Sequence, residues 1–128
     1  MRTTARALFL GASWLLVAGV VVQVFLAGLG VFDSPDQFEV HRNFGYTLEL
    51  LPIVMIVVGL VVGVGRRSVG LAAVVLVLFF VQSLLAAVPT DAPMVAAIHP
   101  VNGFLIPLLA IVVARQWWFA RTPGTAVA

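Results

Sequence analysis

His41 and His99 are the only histidines of the chain, and each stands in the same setting. In the first half Gln23-Val-Phe-Leu-Ala is followed by Pro35, His41 and Gly45. In the second, Gln82-Ser-Leu-Leu-Ala is followed by Pro93, His99 and Gly103. The glutamines are 59 residues apart and the histidines 58; each histidine lies six residues after its proline and four before its glycine. Several matches in one order read as an internal repeat. Neutral imidazole is a common metal ligand and a common axial ligand of haem iron, so a repeated histidine points first to a bis-histidine site.

Other chemistries lack their residues. With no cysteine there are no disulfides, iron–sulfur clusters, zinc-thiolate sites or covalently attached haem. No second carboxylate shares a layer with Glu49, which excludes a paired-acid hydrolase, and no Ser/His/Asp set or strand-borne phosphate loop exists. Two-histidine copper is disfavoured because only Met94 comes near His99, at one turn or more. The arginines form no run interleaved with aromatics, so no nucleic-acid partner is expected.

Composition decides what must position these residues. Of 128 residues, 62% are hydrophobic and 9% charged, and the mean hydropathy is +1.17. A soluble domain is about 45–50% apolar and about 25% charged, and one this short leaves much of its surface outside its core. The solvent must therefore be the lipid bilayer. Stretches 7–32, 68–89 and 92–114 carry no charge and 43–64 carries only Glu49; each is long enough for about 30 Å of hydrocarbon. Helices are predicted at about 6–32, 35–64, 67–88 and 92–118, in one domain over 1–120 with a short tail at 121–128. The first apolar run is too long for a signal-peptide core and reads as a retained helix.

Turn chemistry separates the helices. Ser34 is the expected N-cap of the second, with Pro35 at its first position. Gly63-Val64-Gly65 ends that helix, and Thr90 or Asp91 is the expected cap before Pro93. Arg2, Arg6, Arg66, Arg67, Arg115 and Arg121 fall on one side of the membrane. Asp33, Asp36, Glu39 and Asp91, with Arg42, fall on the other. The positive-inside rule puts both termini in the cytoplasm, and Trp117 and Trp118 sit where an aromatic belt is expected. The expected fold is all-α: an integral membrane four-helix up-down bundle of two tandem helical hairpins, related by a pseudo-twofold axis along the membrane normal.

Six residues past a helix start is about 9 Å along the axis, so His41 and His99 share a depth in the outer leaflet. On diagonal helices they are placed to hold one haem b. Gly45 and Gly103, one turn deeper on the same face, would leave room for the macrocycle. Gln23 and Gln82 reach the histidine layer, where a glutamine carbonyl could accept the second imidazole N–H. Arg42 would pair with a haem propionate. Glu49, near mid-membrane, is either a proton relay to the site or a neutral hydrogen-bonded acid. Against this stand plainer roles: interfacial polar tips for the histidines, helix packing for the glycines, interhelical bonding for the glutamines and an interfacial position for Arg42.

At Glu39-Val-His41-Arg42 and Gly45 the chain resembles the haem A synthase family, whose membrane domain is two similar four-helix bundles with a histidine early in the second and fourth helices. Gln23-Val-Phe-Leu-Ala-Gly is similar to that family's Q-x-x-L-G-G segment. The resemblance covers roughly residues 16–112, one bundle, and Glu39 stands one position later than the family's glutamate. It implies a haem-binding scaffold with His41 and His99 as ligands. Synthase chemistry needs two bundles, hence two associated chains. The chain also looks like small bacterial four-helix membrane proteins with H-x-x-x-G and H-P-x-N-G elements, which implies the bacterial plasma membrane.

The functional expectation is a membrane b-type cytochrome for electron transfer or haem handling, an electron carrier or haem-binding protein more than a complete enzyme. One haem in one leaflet cannot carry electrons across about 30 Å of hydrocarbon, so a quinol or a redox protein is the expected partner. A non-enzymatic scaffold subunit of a larger complex and a metal-free pocket for a quinone or lipid-like ligand are the alternatives.

Overall fold

The computed structural model describes residues 2–88 and 91–119, and among them the side chains of residues 4, 6–88 and 91–115. The side chains of Arg2, Trp117 and Trp118, and all of Thr90, Arg121 and the tail at 121–128, lie outside the described residues. Among the described residues there are helices joined by short turns and no strand. Six helices follow in order: α1 (Arg2–Phe32), α2 (Gln37–Leu48), α3 (Leu50–Val62), α4 (Arg66–Ala86), α5 (Pro93–Ala96) and α6 (Ile98–Phe119). They make four spans long and apolar enough to cross a membrane: Arg6–Phe32, Gln37–Val62, Arg66–Ala86 and Pro93–Arg115.

Two of the spans are interrupted, and proline accounts for both interruptions. A helical proline lacks an N–H and crowds the carbonyl four residues back. Pro52 does this to Leu48, and the second span breaks at Glu49, between α2 and α3. Pro100 does it to Ala96, and the fourth span breaks at Ala97, between α5 and α6. Pro107 lies inside α6 without ending it.

The connections follow local chemistry. The Ser34 hydroxyl accepts the Asp36 N–H at 3.3 Å, but Ser34 is not the N-cap of α2: that position is Asp36, which makes no side-chain cap bond. The chain then makes a turn of i→i+3 bonds, and α2 starts at Gln37 rather than at Pro35. At the fourth span the N-cap is Ala92, with no side-chain cap, not Asp91; Pro93 supplies the preset first position. The α3–α4 connection turns on Gly63 at φ 67° and Gly65 at φ 101°, the only residues with positive φ among those described. A Cβ is strained in both conformations.

The spans pack as a ring. α1 lies against α2, α3 and α6, and α4 lies against α3 and α6. The second and fourth spans are diagonal, as are the first and third. One half of the bundle is closed. Phe9, Leu16, Met55, Val75, Ala110 and Val113 are buried there, at the end that carries Arg6, Arg66, Arg67 and Arg115. In the other half α2 approaches neither α4 nor α6. The bundle therefore opens at the end that carries Asp33, Asp36, Glu39, Arg42 and Asp91.

Candidate functional site

That opening is a cavity of about 850 Å³, within the range of small-molecule and cofactor sites. Apolar side chains dominate its wall, among them Val20, Phe79, Phe104 and Ile106. Seven of the eight residues singled out by sequence also line it: Gln23, Gln82, His41, His99, Gly45, Gly103 and Arg42. The eighth, Glu49, does not. It sits at the break made by Pro52, half-buried; its backbone N–H bonds the Gly45 carbonyl, while its side-chain carboxyl has no hydrogen-bonding or ionic partner among the described residues, neither Gln23 nor a backbone group.

The two half-buried imidazoles face one another across the cavity, with ring centroids 6.2 Å apart and planes tilted by 58°. The His41 Nδ1 lies 3.0 Å from the Gln23 main-chain oxygen, and the His99 Nδ1 lies 3.2 Å from the Gln82 main-chain oxygen. A carbonyl can only accept, so in both rings Nδ1 carries the proton. In the neutral ring Nε2 is then the bare nitrogen, and it has no hydrogen bond to the described residues. The glutamines thus fix the tautomer through their main-chain carbonyls, not through the side-chain carbonyls that the spacing suggested. The reason is register: each glutamine's own peptide stands level with its histidine, and its side chain runs one turn deeper.

There the side chains meet the glycines. A Cβ on Gly45 would stand 2.7 Å from Gln23 Nε2, and one on Gly103 would stand 3.0 Å from Gln82 Nε2. The space above each glycine therefore holds a carboxamide as well as adjoining the cavity. Gln23 Nε2 donates to the His41 main-chain oxygen at 2.8 Å. This orients the amide and leaves Oε1 buried without a partner. In the second half Asn102 intervenes. It is 5% exposed, and its Nδ2 donates to the Leu78 main-chain oxygen at 2.9 Å and to Gln82 Oε1 at 2.6 Å. The position of Asn102 in the repeat corresponds to Phe44 in the first half. Asn102 is not among the residues singled out by repeat and spacing, although a polar residue inside an apolar span, in an H-P-x-N-G element, is a signal for it. Phe38, whose ring stands edge-on to His41 at 6.4 Å, is not among them either.

Two neutral imidazoles with bare Nε2 atoms in an apolar cavity form a two-point donor set. Metal–imidazole nitrogen bonds are about 2.0–2.1 Å, and a ring centroid lies about 1.1 Å behind its nitrogen, so two rings bound in line on opposite sides of one ion have centroids about 6.2–6.4 Å apart. The observed 6.2 Å matches. Among the described residues no group of three or more histidine, cysteine or carboxylate side chains gathers to hold an ion. Two imidazoles alone do not complete the coordination shell of an ion. Arg42 is exposed and lines the cavity one residue from His41, where it can meet a carboxylate at the mouth. Met94 is 83% exposed and takes no part.

A family model described as "Family of unknown function (DUF6220)" matches residues 23–90, more than half of the chain. The chain belongs to this family. The matched segment begins at Gln23 and contains His41, Gly45 and Gln82, so one histidine with both glutamines falls inside it. His99, Asn102 and Gly103 follow it. No curated protein and no solved structure matches the DUF6220 chain.

Proposed function

We propose that the chain is a membrane b-type haem protein with one haem held between His41 and His99. The observation that carries this reading is the pair of rings 6.2 Å apart whose Nδ1 atoms are both committed to main-chain carbonyls. His41 and His99 bind through Nε2. Gln23 and Gln82 hold each ring in the coordinating tautomer and raise its basicity. Arg42 pairs with a propionate, and the apolar wall keeps water from the site. The haem, when bound, supplies reversible one-electron chemistry.

The arginine distribution supports a plasma-membrane orientation with both termini cytoplasmic and the cavity near the outer face. From there the site serves a quinol or an external redox protein. The resemblance to one bundle of haem A synthase supports haem handling as a related role, with a homo-oligomer completing the pair of bundles. The test is a reduced-minus-oxidised spectrum of protein purified with added haem. A sharp α-band in wild type, weakened or lost in His41→Ala and His99→Ala, is expected. A wild type without the band, or variants that keep it intact, refutes the proposal.

One observation favours a second reading. Gln23 Oε1 is a buried acceptor with no donor in a largely apolar cavity, and the hydroxyl of a quinone in its reduced form, or of a lipid-like molecule, would donate to it in a metal-free site. Metal analysis of the purified protein separates the two.

A further inference from the structure

The two histidines are not held alike. Pro52 breaks the second span after His41 and leaves that residue on α2, a 12-residue segment whose one buried side chain is Leu48. Beyond its continuation α3, α2 packs against α1 alone. Pro100 breaks the fourth span before His99 and leaves that residue on the 22-residue α6. α6 packs against both α1 and α4 and buries Asn102, Ile106, Ala110, Val113 and Ala114.

Hydrogen bonding repeats the contrast. Asn102 ties α6 to α4 through Leu78 and Gln82, the residue whose main-chain carbonyl takes the His99 proton. On the other side Phe44 stands at the corresponding position and makes no such bond. Each glutamine carboxamide is held at one atom, Gln23 at its nitrogen by the His41 main-chain oxygen and Gln82 at its oxygen by Asn102, so the contrast lies in the further Asn102 bond to Leu78, which has no counterpart on α2. A segment with few buried contacts, one neighbour and a break at its base opens at lower free energy than a helix packed on two sides.

We infer that, on the bis-histidine haem reading, His99 is the fixed ligand and His41 the exchangeable one. α2 moves on the Leu48–Pro52 break and withdraws His41, which would leave that side of a bound haem open to a small neutral molecule of two or three atoms. Asn102 is a positioning residue that keeps His99 in place while this happens. The site then binds small ligands as well as passing electrons.

The experiment uses the full chain in detergent or nanodiscs, with carbon monoxide as probe. Reduced wild type should shift its Soret band on adding carbon monoxide. His41→Ala should keep its haem in a high-spin form, and His99→Ala should lose it at least tenfold faster. Phe44→Asn, which offers the first half its own clamp, should slow carbon monoxide binding at least tenfold. In haem-free wild type, amides of α2 should exchange with deuterium at least tenfold faster than those at 102–114, a readout that needs no variant to fold. A wild type with its α-band that refuses carbon monoxide, equal haem loss from the two histidine variants, or equal exchange of the two segments overturns this inference and leaves the haem reading standing. A wild type without the α-band overturns the haem reading and the inference with it.

Discussion

Replacing Gly45 by alanine tests whether the glycine serves the site or the helix. The added Cβ would stand 2.7 Å from Gln23 Nε2, so the carboxamide must withdraw, and its 2.8 Å bond to the His41 main-chain oxygen is lost. That loss costs about 0.5–1.5 kcal/mol. Against it, alanine in a helix is favoured over glycine by about 0.8–1.0 kcal/mol. The two nearly cancel, so the melting temperature of haem-free Gly45→Ala in detergent should stay within a few degrees of wild type.

The site does not share in the helix gain. Gln23 no longer braces the His41 peptide, and the methyl group enters the cavity wall. Haem retention should fall by about two- to tenfold, which is the same lost bond expressed as an equilibrium constant. Gly103→Ala should do less. Its Cβ would stand 3.0 Å from Gln82 Nε2, and that amide is tied through its oxygen to Asn102, so the nitrogen can give way. Gly28→Ala, with nothing within 4 Å of its Cβ, is the control and should leave retention unchanged. The assay is haem transfer to an acceptor protein followed by absorbance. Wild-type retention in Gly45→Ala, or a larger loss in Gly103→Ala, refutes the reasoning.

Three further outcomes are expected. Gly63→Ala and Gly65→Ala place a side chain at φ 67° and φ 101°; each should cost about 1–2 kcal/mol of stability in thermal unfolding while leaving the haem spectrum alone. Pro52→Ala restores an N–H that can reach the Leu48 carbonyl, joining α2 to α3, and should slow deuterium exchange at residues 49–52. Asn102→Leu removes both Nδ2 bonds and orphans Gln82 Oε1. It should lower the unfolding free energy by about 1–3 kcal/mol and speed haem loss, as measured by chemical unfolding in detergent and haem transfer.

Much of the architecture was legible in the chain. Span lengths follow from unbroken apolar runs, because an uncharged run of this length has no soluble packing that would bury it. The up-down ring follows from short connections and the alternation of arginine and acidic ends. The histidine pairing follows from the repeat. Misread were local hydrogen bonds. The imidazoles bond main-chain rather than side-chain carbonyls, the glycines make room for glutamine amides, and Ala92 rather than Asp91 precedes the fourth span. Spacing along a helix specifies depth and face, but not which of several polar atoms at that depth becomes the partner.

Sequence alone determined that the chain is a four-span helical bundle, that His41 and His99 share a level, and that Gln23 and Gln82 stand beside them. These are consequences of composition and of rise per residue, which any sequence of this pattern must obey. Tertiary structure alone decided that the rings come within 6.2 Å, that the open half of the bundle is where α2 parts from α4 and α6, and that Asn102 adds a clamp on one side for which Phe44 offers no counterpart on the other. Interhelical distance and partner choice are settled by packing between segments remote in the chain. A near-perfect repeat can therefore fold into a site whose two halves are held unequally.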